Sequence, residues 1–228
     1  MFNKQSNTMC GRFSLTTDEA ILNERFKLVG GIEPYVARYN CAPTQNLAVI
    51  TAEHPRRLSF FRWGLIPFWA KDEKIGSRMI NARAESIEEK PSYKNAFRQR
   101  RCLVPADGFY EWKSKNGKTP YRIILNGQLP FAMAGIWETW KNPGGKSVYS
   151  FSIITTEANQ LIKNIHDRMP VILAADSEES WLSGNDPEEI RGLLKPFDPN
   201  HMKAYEVSKL VNSPRNDNPA LVLPVDDE

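Results

Sequence analysis

The sequence has few cysteines and no long apolar run, and each shortage excludes a class of protein. Its 228 residues include three cysteines, an odd number whose spacing fits neither a disulfide framework nor paired zinc ligands. The apolar runs are too short to cross a bilayer, and the opening MFNKQSNT lacks the apolar stretch of a secretion signal. We therefore expect a cytoplasmic protein with free thiols and no membrane span.

Charge is unevenly distributed along the chain, although the net charge is only +3. Residues 56–101 hold twelve Lys or Arg against five Asp or Glu, whereas residues 171–228 hold five against twelve. The basic part interleaves cations with rings in RRLSFFRWGLIPFWAKDEK. A groove for single-stranded nucleic acid uses this combination, with cations for phosphates and rings for bases. A strand with core aromatics and solvent-exposed arginines would give the same pattern.

The secondary-structure pattern predicts an α+β fold in a single domain. Strands are expected in the six runs NLAVITAE, RLSFFRWGL, RCLVPADGFYEWK, TPYRIIL, FAMAGIWETW and SVYSFSIITT, which are rich in β-branched and aromatic residues. Helices are expected over Thr17 to Phe26, Thr156 to Ile165 and Pro187 to Leu194. We expect a curled, mostly antiparallel β-sheet or open barrel with a few short helices, and a monomer.

Four stretches carry candidate chemistry, and the first contains Cys10, in MCGRF. A cysteine at a chain's first position has an α-amine and a thiol on adjacent carbons. With a pKa near ~7.8, an α-amine is partly unprotonated near neutral pH, whereas a lysine with a pKa of ~10.4 is almost fully protonated. Such a terminus can attack an aldehyde and then close a five-membered thiazolidine ring. The alternative is a buried structural cysteine near the start of a strand.

The second stretch, MINARAES at residues 79–86, lies within the basic segment. Asn81 can both donate and accept hydrogen bonds, and Arg83 has a fork that fits phosphate. Glu85 is a candidate brace for that fork. The alternative for this stretch is a helix start with a surface ion pair.

The third stretch, PADGFYEWK at residues 105–113, contains Glu111. Strand alternation places Phe109 and Glu111 on one face, and Tyr110 and Trp112 on the other. Apolar neighbours would raise the pKa of the Glu111 carboxyl and suit it to shuttle protons near neutral pH. The alternative is a solvent-facing glutamate on an edge strand.

The fourth stretch, NIHDRMPVIL at residues 164–173, contains His166, one of only three histidines in the chain. Asp167 and Arg168 follow it directly. Histidine is suited to proton transfer at neutral pH. We expect no metal, because one His-Asp pair supplies too few ligands and the cysteines offer no second cluster.

Eight motifs, in the same order along the chain, resemble those of the SRAP family, named for SOS-response-associated peptidase. They are MCGRF, RYNCAP, WGLIPFWA, INARAE, ADGFYEW, AGIWE, IHDRMPVIL and VSKLVNSPRND. The resemblance implies an SRAP domain over residues 10–221. It also implies a leader at residues 1–9 that is absent from the active form, and an acidic tail at residues 222–228.

Proteins of this family sense abasic sites in single-stranded DNA and link themselves covalently to them in the DNA damage response. The resemblance implies that Cys10 traps the sugar aldehyde as a thiazolidine and that Asn81 binds the opened sugar or its phosphate. Glu111 would shuttle protons, and His166 would assist ring opening or its reversal. No cofactor is implied.

The resemblance also implies which residues contact DNA. Arg12, Arg83 and Arg168 would hold phosphates, while Phe68 and Trp69 would wedge against bases at the lesion. The family pattern has two tryptophans at this wedge, whereas this chain has a Phe-Trp pair, which keeps the stacking surface but alters the strength of stacking.

A free α-amine on Cys10 requires that MFNKQSNTM be absent from the active chain. We favour translation from Met9; the alternative is self-cleavage before Cys10 with Glu111 and His166 nearby. Peptidase and lyase-type activities are therefore further expectations. Two other functional classes stay open: a cysteine peptidase of the N-terminal-nucleophile type, and a passive module that binds single-stranded DNA.

Overall fold

The structure is a computed structural model that describes residues 11–29, 35–113 and 118–225. Within these ranges, thirteen strands form two sheets, and four short α-helices lie around them. The strands are β1 (Phe13–Leu15), β2 (Arg38–Cys41), β3 (Asn46–Thr51), β4 (His54–Trp63), β5 (Asn81–Arg83), β6 (Arg101–Ala106), β7 (Gly108–Lys113), β8 (Thr119–Leu125), β9 (Phe131–Lys141), β10 (Ser147–Glu157), β11 (Arg168–Pro170), β12 (Ile172–Leu173) and β13 (Met202–Glu206). The helices are α1 (Glu19–Phe26), α2 (Lys94–Gln99), α3 (Glu178–Ser183) and α4 (Pro187–Gly192).

Five strands of the larger sheet close into a barrel. They follow the order β10-β4-β3-β6-β9, and β9 pairs back onto β10. All neighbours are antiparallel except β4 and β10, which run parallel. The curled, mostly antiparallel sheet of a single α+β domain is therefore confirmed, and its barrel is closed rather than open.

Alternate residues of the barrel strands fill one core cluster, as a period of two along each strand requires. These residues are Leu47, Val49, Phe61, Trp63, Cys102, Val104, Met133, Trp137, Phe151 and Ile153. Gly135 fits among them because it has no side chain: a Cβ there would lie 2.8 Å from Cys102 Sγ. A second cluster joins the opposite face of the barrel strands to the helices, and Trp181 of α3 is fully buried in it.

The smaller sheet is antiparallel and has the order β13-β8-β7-β1-β2. The predicted strand RCLVPADGFYEWK is divided between the two sheets, because β6 belongs to the barrel and β7 to the smaller sheet. Asp107 lies at the junction between them. The strand that carries Glu111 is therefore flanked by β8 on one side and β1 on the other.

Two of the three predicted helices are confirmed, as α1 and α4. The helix predicted over Thr156 to Ile165 is wrong, because β10 extends to Glu157 and only a 3-10 turn, Ile162–Asn164, follows. Pairing of residues 155–157 with β11 keeps this part of the chain extended. In the described part of the chain, no helix has the length and apolar character that a membrane span needs.

Candidate functional site

The four predicted stretches meet around one hydrophobic cluster. Each contributes a buried residue to it: Phe13, Ile80, Phe109 and Met169. The predicted catalytic and phosphate-binding residues are close neighbours of these four in sequence. Stretches that are far apart along the chain therefore share one core cluster.

Glu111 is buried, with an exposed fraction of 1%. Its strand β7 pairs with β1, with Phe13 opposite Phe109, and the Tyr110 N–H donates to the Arg12 carbonyl at 3.0 Å. The predicted alternation is confirmed, since Phe109 lies in the barrel-side cluster and Tyr110 in a separate one. The alternative of a solvent-facing glutamate on an edge strand is therefore wrong.

Cys10, and with it the expected leader at residues 1–9, lies outside the described residues. Gly11 is the first residue described, and it is buried. If the register of β1 and β7 is continued past Arg12 and Tyr110, Gly11 comes opposite Glu111. The backbone that leads to Cys10 thus runs along the strand of the buried carboxylate.

Strands β5 and β11 flank the end of β10 from opposite sides. Thr155 of β10 pairs with Arg83 on one side and with Pro170 on the other. Asn81 is half-buried, Arg83 is exposed, and the Tyr93 hydroxyl donates to the Asn81 carbonyl at 3.1 Å. MINARAES is therefore the strand β5 followed by a 3-10 helix, Ala84–Ser86, so the alternative of a helix start with a surface ion pair holds for its second half only.

Arg168 forms a two-pronged ion pair with Glu85. Its Nη1 and Nη2 donate to the two carboxylate oxygens at 2.7 and 2.9 Å, and Nη2 also donates to the Thr155 carbonyl at 2.8 Å. Burial opposes ionisation of Glu85, but the hydrogen bond and charge of Arg168 outweigh it, so the pKa of Glu85 lies below its usual range. Glu85 therefore braces Arg168 and not, as its sequence position suggested, Arg83.

His166 has a defined acceptor nitrogen. The backbone N–H of Arg168 donates to His166 Nδ1 at 3.1 Å. A ring nitrogen that accepts a hydrogen bond carries no proton, so the neutral imidazole carries its proton on Nε2. His166 is half-buried and follows the 3-10 turn Ile162–Asn164, and it can therefore offer an Nε2–H donor to a bound molecule.

Phe68 and Trp69 are exposed to 55% and 49%, on the loop that follows β4. The loop itself is anchored to the barrel: the Ile66 N–H donates to Ser150 Oγ at 2.8 Å, and Trp140 Nε1 donates to the Ala70 carbonyl at 2.7 Å. Two large rings are thus presented to solvent on a fixed support. This is the arrangement that stacking on nucleic-acid bases needs.

Arg12 makes its hydrogen bonds within the protein. Its guanidinium donates to Asn40 Oδ1 and to the carbonyls of Val211 and Asn212, at 2.8, 2.6 and 3.1 Å. Burial lowers the pKa of this guanidinium from its ordinary value. These partners, which lie in the RYNCAP and VSKLVNSPRND motifs, were not predicted from the sequence.

A buried ion pair that contacts β1 was also not predicted from the sequence. Arg122 Nη2 donates to Asp107 Oδ1 at 3.0 Å, and Asp107 further accepts from Ser14 Oγ and from the backbone and hydroxyl groups of Thr16 and Thr17. The one signal in the sequence is the position of Asp107 between the apolar strand sequences RCLVPA and GFYEW. Within the described ranges, no group of three or more His, Cys, Asp or Glu side chains is placed to hold a metal.

Comparison with known proteins identifies the family. Residues 9–214 match the sequence profile of the SOS response associated peptidase (SRAP) family. The chain is 48% identical over 221 residues to the abasic site processing protein YoqW of Bacillus subtilis (strain 168), covering 94% of this chain and 99% of that protein. It is 33% identical over 225 residues to the abasic site processing protein HMCES of Xenopus tropicalis, covering 83% of this chain and 67% of that protein. A crystal structure of a protein from Bacteroides thetaiotaomicron superposes with a TM-score of 0.85 at 32% identity, covering 95% of this chain and all of the other (100%). The chain therefore belongs to the SRAP family.

Proposed function

We propose that this protein recognises abasic sites in single-stranded DNA and crosslinks to them through Cys10. The observation that carries the proposal is the convergence of the four stretches on one cluster, with a buried Glu111 on the strand beside the chain that leads to Cys10. Relatives named abasic site processing proteins support the substrate class.

The chemistry needs an amine and a thiol on one residue. The α-amine of Cys10 adds to the C1′ aldehyde of the ring-opened deoxyribose, and the resulting carbinolamine loses water to give an imine. The thiol sulfur then adds to the imine carbon while its proton passes to the nitrogen, which closes a thiazolidine ring. One water is released in total, and no oxidant or reductant is needed.

Glu111 and His166 transfer the protons in these steps. The buried Glu111 carboxylate can take the proton of the attacking amine and return it to the departing water. The Nε2–H of His166 can donate to the sugar oxygen as the ring opens. Asn81, which can donate and accept, holds the opened sugar or its phosphate.

The DNA is held by charge and by stacking. Arg83 is exposed and takes a phosphate directly, whereas Arg168 exchanges the Glu85 carboxylate for a phosphate. Phe68 and Trp69 stack on bases beside the lesion, which is worth about 1–3 kcal/mol per base. Arg83, Phe68 and Trp69 are all exposed, and all three belong to the basic segment at residues 56–101.

The reaction requires a free α-amine, so the proposal includes a chain that begins at Cys10. Translation from Met9 followed by removal of that methionine would produce it, and the family match itself begins at residue 9. Self-cleavage before Cys10 would produce the same terminus. A chain that still carries Met1 to Met9 is expected not to crosslink.

One denaturing gel tests the proposal. An oligonucleotide with one abasic site is incubated with wild type, Cys10→Ala, Glu111→Gln and His166→Ala, and a matched oligonucleotide without the lesion serves as control. We expect covalent retention of the abasic strand by wild type, none with Cys10→Ala, and slower formation with the other two variants. Intact mass should equal protein plus oligonucleotide minus one water.

Two results would contradict the proposal. One is a crosslink formed by Cys10→Ala, or by chains that retain Met1 to Met9 in the intact mass. The other is an absence of any crosslink with wild type that begins at Cys10. In that second case, cleavage of peptides would indicate a peptidase, and reversible, salt-sensitive retention of DNA would indicate a passive binding module.

A further inference from the structure

A segment near the end of the described chain lies across the strands of the smaller sheet. This segment, residues 208–217, is called the clasp below. It begins with Ser208, whose side chain accepts from the Leu210 N–H at the start of a 3-10 turn, and its Val211 side chain is buried against Tyr110. Val211 and Asn212 then present their carbonyls to Arg12.

Asn40 of β2 fixes the middle of the clasp. It is fully buried (0% exposed), and its Nδ2 lies 3.2, 3.0 and 2.8 Å from the carbonyl oxygens of Val211, Ser213 and Asn216. Its Oδ1 accepts from Arg12. One buried amide therefore joins the clasp to the guanidinium that extends from the start of β1.

Asp217 fixes the end of the clasp to β2. Its carboxylate accepts from the backbone N–H groups of Tyr39 and Asn40 at 2.6 and 3.1 Å and pairs with Arg38 Nε at 2.7 Å. The clasp is thus attached to the sheet at several points along its length, with charged groups at both Arg12 and Asp217.

Asn212 connects Arg12, which directly precedes β1, with Trp112 of β7. Its carbonyl accepts from Arg12, and its side-chain Oδ1 accepts from Trp112 Nε1 at 2.7 Å. Arg12 follows Cys10 by two residues, and Trp112 directly follows Glu111. A single residue therefore links the segment that leads to the nucleophile with the strand of the buried carboxylate.

We propose that the clasp sets the position of Cys10 relative to Glu111, and that Arg12 is a positioning residue rather than a phosphate ligand. Two residues span at most about 7 Å, so the anchored Arg12 backbone lies within that reach of the nucleophile along the chain. A misplacement of about 1 Å can cost on the order of a hundredfold in rate. This inference rests on the proposed function, because it concerns the crosslinking reaction.

Separate measurements of rate and affinity test the inference. The maximal crosslinking rate is measured at saturating abasic DNA, and affinity is measured with a tetrahydrofuran analogue that has no aldehyde. For Arg12→Met and Asn212→Ala, we expect the maximal rate to fall at least about tenfold. Affinity should stay within about twofold of wild type, with an unchanged salt dependence, because neither change removes a phosphate contact.

Two further variants make the result specific. Arg12→Lys keeps the charge but cannot bridge Asn40 and Asn212 together, so it should lose rate and keep affinity. Asn126→Ala is the matched control. It removes an exposed hydrogen bond from Asn126 Nδ2 to the Asn200 carbonyl and should change neither the rate nor the affinity. If Arg12→Met instead weakens binding and reduces the salt slope by about one, Arg12 is a phosphate ligand and the inference is overturned.

Hydrogen exchange separates this inference from the proposed function. The Tyr110 amide, which donates to the Arg12 carbonyl, should exchange faster in Arg12→Met and Asn212→Ala than in wild type or Asn126→Ala. Unchanged exchange in both variants overturns the inference whether or not wild type crosslinks. Absence of crosslinking by wild type, together with faster exchange in the variants, overturns the proposed function alone.

Discussion

Gly108→Ala should destabilise this protein by displacing a buried guanidinium. A Cβ at residue 108 would lie 2.7 Å from Arg122 Nε and 2.9 Å from its Cζ and Nη2. The guanidinium must therefore move, yet it is buried and is held by Asp107 at 3.0 Å, by Ser14 Oγ at 3.1 Å and by the Tyr205 hydroxyl at 2.8 Å. Displacing it separates a buried ion pair.

The expected cost is about 3–5 kcal/mol, the usual penalty for breaking a buried pair and leaving one charge uncompensated. For a chain of this length, each kcal/mol lowers Tm by about 2–4 °C, so the expected fall is about 6–20 °C. Urea unfolding followed by far-UV circular dichroism measures the free energy directly. Gly192→Ala is the matched control, because nothing lies within 4 Å of a Cβ added there.

A double-mutant cycle with Arg122→Met identifies the cause. Arg122→Met alone should be destabilising, but once the guanidinium is gone, Gly108→Ala should add less than about 1 kcal/mol. Full additivity of the two costs, or a cost of Gly108→Ala below about 1 kcal/mol in wild type, would refute the reasoning. Because Asp107 also binds the chain just after β1, Gly108→Ala should slow crosslinking as well.

Three further outcomes are expected. Trp69→Ala should weaken binding of an abasic-site analogue by about 1–3 kcal/mol in fluorescence anisotropy and leave Tm unchanged, because the ring is half exposed; unchanged affinity would remove it from the DNA contacts. Burial raises the pKa of Tyr93 to about 12, so wild type should lose stability from about pH 10 to 12, where unfolded tyrosine releases its proton first. Tyr93→Phe should reduce that loss in urea unfolding, and an identical pH profile would contradict it. Burial also raises the pKa of the Cys41 and Cys102 thiols, so mass spectrometry should find neither alkylated before unfolding; rapid labelling of either native thiol would disprove this.

Local patterns predicted much of the strand structure. TPYRIIL coincides with β8, and FAMAGIWETW and SVYSFSIITT lie within β9 and β10, because β-branched and aromatic residues fit a pleated surface. The predicted helix over residues 156–165 failed because pairing with β11 competes with local preference. Helices α2 and α3 are six residues long, too short for a clear helical period, and they lack the proline start that marks the equally short α4.

The sequence indicated candidate residues for the site but not their hydrogen-bond partners. The burial of Glu111 depends on β1 and β8 lying on both sides of β7, and no local signal distinguishes an internal strand from an edge strand. The phosphate role expected for Arg12 came from the resemblance to the SRAP family. Its actual partner Val211 is 199 residues away, and only the folded sheet brings the two together.

The single parallel contact that closes the barrel has a consequence for how the protein reaches its native state. β4 and β10 are separated by more than eighty residues, and β5 joins β10 in the same parallel sense. Long-range parallel pairing forms slowly, because a large loop must be ordered before any contact compensates for it. We therefore expect the β5–β10 pairing, which positions Asn81 and Arg83, to form late in folding. On this view, a newly made chain acquires the proposed DNA-binding site only after the β-barrel has closed.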